Sequence, residues 1–255
     1  MFMVNQSKLR MYIIGFFILG LIVGAGIFQL YYSVSTPNSA APVSQDQAYL
    51  NAIEDAMVTK PSEVYNGLTP IVENNSNLVW EGTPSNESVL MVTWTRYASS
   101  YPVNGTVMTS WGDTWVTAAP QIQVFFKNHV KSEVNATLRA AQLLGLPANT
   151  TDTYFVELWV NPQSLFRPSP DSEVTDSTAS LIFPANATTD YKAWFNNYII
   201  TAYYPMKYPW TRLGYTYDWG NIQNHVGLSE FVIKQNSTVT VKSVTPTTEY
   251  LQRIP

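Results

Sequence analysis

Residues 155–160 read Phe155-Val156-Glu157-Leu158-Trp159-Val160. Successive side chains of a strand point to opposite faces, so Val156, Leu158 and Val160 share one face while Phe155, Glu157 and Trp159 share the other. The strand is predicted over 153–160, and the segments on either side of it decide the fold class. Upstream, Ser44 with Gln47 forms a capping-box pattern and Leu50, Ile53 and Met57 recur at helical spacing, which predicts a helix over 44–59 ended by Pro61. Strands are expected at 78–80 and 89–96. Residues 106–110 and 115–118 flank a Gly112-Asp113 turn and read as a hairpin. Pro120 opens a predicted helix reaching 144, with Ile122, Phe126, Val130, Val134, Leu138 and Ala141 on one face, His129 at its edge, and Gly145 with Pro147 as the stop. Downstream follow a helix at 190–203, a strand at 212–217, and a C-terminal hairpin of 231–233 with 239–244 across Gln235-Asn236-Ser237. Helices and hairpins alternate without βαβ regularity, so the expected class is α+β with mainly antiparallel strands.

The other decisive stretch is at the N-terminus. Residues 11–32 carry no charge and are apolar except for Gln29; Lys8 and Arg10 precede them, and the next charged residue is Asp46. As a helix the run would be about 33 Å long, enough for a hydrocarbon core of about 30 Å. The expected layout is a cytoplasmic tail (1–10), a transmembrane helix (11–32), a linker (33–44) rich in Ser, Pro and Ala, and one compact extracytoplasmic domain (45–255). The positive flank places the N-terminus in the cytoplasm and the domain outside the cell membrane. A cleaved signal peptide fits less well, since its apolar core is shorter and Asn38-Ser39-Ala40 is a poor, distant cleavage site. Gly20 and Gly24 have the spacing through which two membrane helices pair, and so suggest a weak homodimer.

Residues 45–255 are ample for one domain with its own core. Charged residues make up only 13 % of the chain and aromatics 14 %, which excludes a disordered chain. A net charge of -4 lacks the basic footprint of a nucleic-acid binder. With no cysteine, disulfides, thiol catalysis and Cys-based zinc sites are excluded together. Acceptor tripeptides for N-glycosylation occur at Asn74, Asn86, Asn104, Asn135, Asn149, Asn186 and Asn236.

Few residue patterns here carry chemistry. Glu157 between Phe155 and Trp159 can act as a general acid or bind a ligand in an aromatic cleft; its plainer role is as an ion-pair or hydrogen-bond partner. The segment Tyr208-Pro209-Trp210-Thr211-Arg212-Leu213-Gly214-Tyr215-Thr216-Tyr217-Asp218-Trp219-Gly220-Asn221 is the most unusual. Alternation sets Leu213, Tyr215 and Tyr217 toward the core, and Trp210, Arg212, Thr216 and Asp218 away from it. Aromatic platforms beside planar hydrogen-bonding groups suit sugars, so Trp210, Arg212, Asp218, Glu157 and Trp159 are the ligand-binding candidates. The competing role for Arg212 is to satisfy a buried carboxylate, Glu157 among the choices. For catalysis the candidates are Glu157 and Glu230 as acid and base, with His225; no Gly-x-Ser-x-Gly elbow is present. Asp171, Glu173 and Asp176 form an acidic cluster without calcium-loop spacing, so no metal and no cofactor is expected.

Four phrases, Trp115-Val116-Thr117-Ala118-Ala119-Pro120, 155–176, 208–221 and 227–233, resemble a widespread family of secreted or membrane-anchored prokaryotic proteins of unassigned function. The resemblance runs from about Tyr49 to Tyr250. It implies a single compact domain and brings no catalytic residues with it. It also implies cysteines near positions such as Ser169 and Leu251 in relatives; this chain has none.

The expected function is a membrane-anchored surface domain that binds a ligand, with an envelope glycan or a protein as partner, or has a structural role in the envelope. The alternative is an extracytoplasmic hydrolase working through carboxylates. Protease added to intact cells should digest the domain while the untreated chain stays with the membrane fraction. A soluble chain beginning near Ala41 would contradict this topology.

Overall fold

The strand expected at 153–160 forms inside a nine-stranded sheet. The computed structural model describes residues 43–83, 86–131 and 133–253. The expected tail, the expected anchor with Gly20 and Gly24, and nearly all of the expected linker lie outside the described residues. Among the described residues no helix is long and apolar enough to cross a membrane.

In chain order the elements are α1 (Gln45–Ala56), β1 (Trp80–Thr83), β2 (Asn86–Thr95), β3 (Thr106–Met108), β4 (Thr114–Ala118), α2 (Gln121–His129), α3 (Ala136–Leu143), β5 (Tyr154–Val160), β6 (Leu165–Phe166), α4 (Thr189–Tyr203), β7 (Tyr215–Tyr217), β8 (Val226–Ile233), β9 (Thr238–Pro246) and α5 (Thr247–Gln252). The class is α+β. The sheet runs β3-β9-β5-β2-β4-β8-β6, with β1 on β2 and β7 on β8, and every pairing is antiparallel.

Its curvature follows from one short connection. Three strands lie between β8 and β9 in the hydrogen-bonded order. A flat sheet would therefore hold them about 19 Å apart, four strand spacings. Yet residues 234–237 join them in a turn: Ser237 N donates to Lys234 O at 3.2 Å, and Asn236 sits at φ 63°. Such a turn brings its ends within about 7 Å, so the sheet must curl. Around the inside of the curl pack Val89, Met91, Val116, Val156, Leu158, Phe231, Ile233, Val239 and Val241. The opposite face, with Leu90, Val92 and Phe155, is covered by Ile122 and Phe126 of α2, Leu143 of α3, and Tyr250 of α5.

Several sequence expectations are corrected. The C-terminal turn exists, but β8 and β9 pair with different neighbours instead of with each other. Likewise 106–110 and 115–118 are not a hairpin. β3 pairs with β9, while β4 lies between β2 and β8. The long helix at 120–144 is two helices. Val130 turns extended, and the Asn135 side chain accepts from Leu138 N at 3.1 Å, capping α3. The strand at 212–217 is only Tyr215–Tyr217, because Arg212 and Gly214 have φ of 60° and 73°. Left-handed residues break the alternation of faces, so Trp210, Arg212 and Asp218 do not share a side.

Gly214 also packs against Arg167, which is 1 % exposed and held by hydrogen bonds to Asp176 and to the carbonyl of Thr178. A Cβ at Gly214 would sit 2.5 Å from the Arg167 Cδ. Gly214→Ala combines a strained φ with this clash and should cost about 1–3 kcal/mol. Thermal unfolding should show a lower Tm; an unchanged Tm would mean that Arg167 moves freely.

Candidate functional site

β2 and β4 pair at only two positions, Met91 with Ala118 and Val92 with Thr117. Beyond them residues 93–95 stay bonded to β5, and residues 114–116 stay bonded to β8. The two halves of the curled sheet therefore part. A cavity of about 680 Å³ occupies the opening, lined by residues 92–95 on one side and 114–117 on the other. Leu144 to Leu146 after α3, Tyr198 of α4, residues 208–210 and β7 complete its wall.

Glu230 enters this cavity from β8. Opposite residues of an antiparallel ladder share a face, and the registers line up Glu157, Val92, Thr117 and Glu230 in one row across four strands. Two glutamates thus project from the same face of the sheet into very different surroundings. Glu157 is fully engaged. It accepts from Ser243 Oγ at 2.9 Å and Tyr250 Oη at 3.1 Å, and Lys242 Nζ lies 3.4 Å away. A register shift in β9 opposite Glu157 and Leu158 leaves Lys242 without a counterpart on β5, beside this carboxylate.

Glu230 has no such company. Among the described residues no hydrogen bond or ion pair reaches its carboxyl group. It is half-buried, and the exposure it keeps opens into the cavity. Burial pushes the carboxyl up from 4.5 to about 8, with no charged neighbour to offset it. Aromatic rings stand nearby. Trp115, two residues from Thr117 on the same face, packs on Tyr198 at 4.8 Å between ring centroids, and Tyr198 packs on Trp210 at 5.2 Å. The Trp210 indole N–H is buried without a hydrogen-bond partner. At the exposed rim are Tyr97, Trp111 and Tyr208.

The other site candidates fall elsewhere. Trp210 is 5 % exposed and belongs to the aromatic packing under α4, so it is no surface platform, although it reaches the cavity wall. Arg212 donates to the carbonyls of Ala56 and Met57 at 3.2 and 3.0 Å and lies over the Tyr203 ring. It satisfies the C-terminal end of α1 and, among the described residues, pairs with neither Glu157 nor another carboxylate. Asp218 makes a two-pronged ion pair with Arg139 of α3, at 2.8 and 2.5 Å. Trp159 lies under the Lys242 ammonium. His129 is exposed beside Phe125. Within the acidic loop Asp176 pairs with Arg167, while Glu173 accepts from the Thr175 and Asp176 amides. The seven acceptor asparagines are all exposed.

The sequence offered no sign of one further grouping. Ligating atoms of Asp55, Glu63 and His225 lie within 4.8 Å of one another, an arrangement able to hold a cation. Lys60 already supplies positive charge there, 2.9 Å from Asp55 and 2.8 Å from Glu63. Burial alone would raise the Asp55 carboxyl, but hydrogen bonds from Lys60 and Tyr217 outweigh it and hold the group below its usual value. The cluster ties α1 to β7. His225 therefore works with Asp55 and Tyr215, not with Glu157 or Glu230.

Tyr198, Thr117 and Trp115 were not singled out in the sequence. The wall is assembled from segments spread between residues 92 and 230, and no spacing links them. No family model matches the chain, and no curated protein or solved structure does either.

The raised carboxyl sets a pH dependence. Glu230 binds its proton more tightly folded than unfolded, so its contribution is full below about 4.5 and is lost as pH rises through about 8. Glu230→Gln removes this titration. Its Tm should therefore gain on that of the wild type between pH 5 and pH 9; a constant difference would show that the carboxyl is solvated.

Proposed function

We propose that this domain is a binding module that takes one compact small ligand into the opening between β2 and β4, as the outward-facing part of a membrane-anchored chain. The observation carrying this reading is the cavity of about 680 Å³ with an unpartnered carboxyl group in its wall. Ligand pockets have volumes of about 300–1,000 Å³ and are mostly apolar, with a few polar groups that fix orientation. The walls here are mostly Trp, Tyr, Thr and aliphatic side chains, with Asp113 and Asp152 engaged by neighbours, and the Glu230 carboxyl and the Trp210 indole N–H are left unmatched. A buried polar group without a partner costs stability, and one facing a cavity is matched when a ligand arrives.

A half-open gap of this volume suits a single small molecule better than a sugar chain laid across a surface platform. The platform residues read from the sequence are buried or engaged in ion pairs and carbonyl contacts. The hydrolase alternative needs two carboxylates about 5–9.5 Å apart across a cleft. Glu157 and Glu230 stand three strand spacings apart, about 14 Å, and Glu157 is held by β9 on its far side. Asp113 and Asp152 also line the cavity, but Asp113 is held by Trp194 and Gln235, and Asp152 by Arg96 and Thr150.

A thermal-shift screen of small molecules against the full chain tests the proposal. At a concentration 100 times Kd a ligand adds about 2.7 kcal/mol, which in a domain of this size raises Tm by roughly 5–10 °C. Thr117→Phe places a ring beside Glu230 and should abolish that rise, while Thr117→Val should keep it. Equal stabilisation of the wild type and Thr117→Phe would place the ligand elsewhere and sink the reading.

A further inference from the structure

Resting on the cavity reading above, the ligand's class follows from which groups in the wall are left without a counterpart. Glu230 offers a carboxyl that no hydrogen bond or ion pair reaches among the described residues, and the described residues that line the cavity include no Lys, Arg or His. The chain thus supplies a site for negative charge and no positive charge to balance it. Around that site stand the rings of Trp115, Tyr198 and Trp210, packed on one another at 4.8, 5.2 and 6.1 Å between centroids. Aromatic faces attract cations, most strongly when water is excluded, and a carboxylate beside them supplies the opposite charge. A neutral polar ligand would need several matched donors and acceptors. A carboxylate or phosphate ligand would find no Lys, Arg or His among the described lining residues to balance its charge.

We infer that the cavity takes a small organic cation, an amine or quaternary ammonium compound, with its charged head against the Glu230 carboxylate and its alkyl groups against Trp115, Tyr198 and Trp210.

Binding must then release the Glu230 proton, because only the ionised carboxyl attracts the cation. Affinity should rise about tenfold per pH unit below about 8 and level off above it. The other titratable groups facing this region are phenols, two engaged carboxylates and a histidine turned toward other partners. From α4 come Tyr198 and Tyr203; burial raises both phenols, that of Tyr203 to about 12. Asp113, before β4, accepts from Trp194 Nε1 and the Gln235 amide. Asp152 is paired with Arg96 and Thr150. From β7, Tyr215 and Tyr217 are raised by burial, and Tyr208 lies at the rim. His225 stacks behind Tyr217 and turns its ring nitrogens toward Asp55 and Tyr215.

The test is calorimetric titration of the purified full chain with tetramethylammonium, choline and a primary alkylamine, alongside dimethylbutanol, the uncharged carbon isostere of choline. At least one cation should bind ten or more times tighter than the isostere, with affinity rising about tenfold from pH 6 to pH 7. Glu230→Gln, which keeps the side chain's shape, should lose both the preference and the slope; a slope that survives in it would belong to another group and overturn the assignment. Failure of all three cations to bind overturns the inference. Isostere binding as tight as choline, and abolished by Thr117→Phe, also overturns the cation while leaving the cavity reading in place. Isostere or cation binding that survives Thr117→Phe rejects the cavity reading itself.

Discussion

The turn at 234–237 is the constraint on which the rest of the structure depends. It joins two strands that the sheet's own order would hold about 19 Å apart if flat, and it is firmly fixed. The Thr109 hydroxyl donates to Lys234 O at 3.0 Å, Asn236 N donates to Thr109 O at 3.1 Å, and Gln235 N donates to Asp113 at 2.9 Å. The loop from β3 to β4 is thereby bound to the loop from β8 to β9. A sheet closed at that end wraps around its apolar inner face, and helices can cover only the outer one. Within this curled sheet the two-residue pairing of β2 with β4 is the weak seam, and the cavity opens there.

Glu157 and Glu230 show two surroundings that one face of the sheet gives a carboxyl group. They stand in one row on one face, separated by Val92 and Thr117. Around Glu157 the β9 register shift, Ser243, Lys242 and Tyr250 supply everything a buried anion requires. Around Glu230 the protein supplies rings and empty volume, so desolvation acts unopposed. Structural carboxylates acquire partners. A carboxyl kept without one, at the wall of a cavity, is in the state from which ligand binding gains most.

Local structure was more legible in the sequence than pairing. α1 begins where Ser44 caps it, α4 spans nearly its predicted range, and β5 starts within a residue of expectation. Each depends on short-range chemistry. The two expected hairpins failed because a turn signal shows that the chain reverses and says nothing about which strands then pair. At 120–144 the apolar period runs through Val130 and Val134 unbroken, and only Asn135, a cap residue inside the run, hinted at two helices. Arg212 was misplaced because a left-handed backbone at a non-glycine residue is invisible to an alternation count. Glu230 could be named as an acid from the sequence, but its isolation could not, since isolation depends on which groups the fold keeps away.

Direct titration of the Glu230 carboxyl tests the central claim most closely. The full chain, labelled with carbon-13 at glutamate side-chain carboxyls and assigned through Glu230→Gln, can be followed by NMR from pH 4 to pH 10. The account predicts a midpoint near 8 for Glu230 in the ligand-free protein. A midpoint near 4.5, that of a solvated glutamate, would mean that the carboxyl is hydrated or paired, and the cavity would lose its anchoring group.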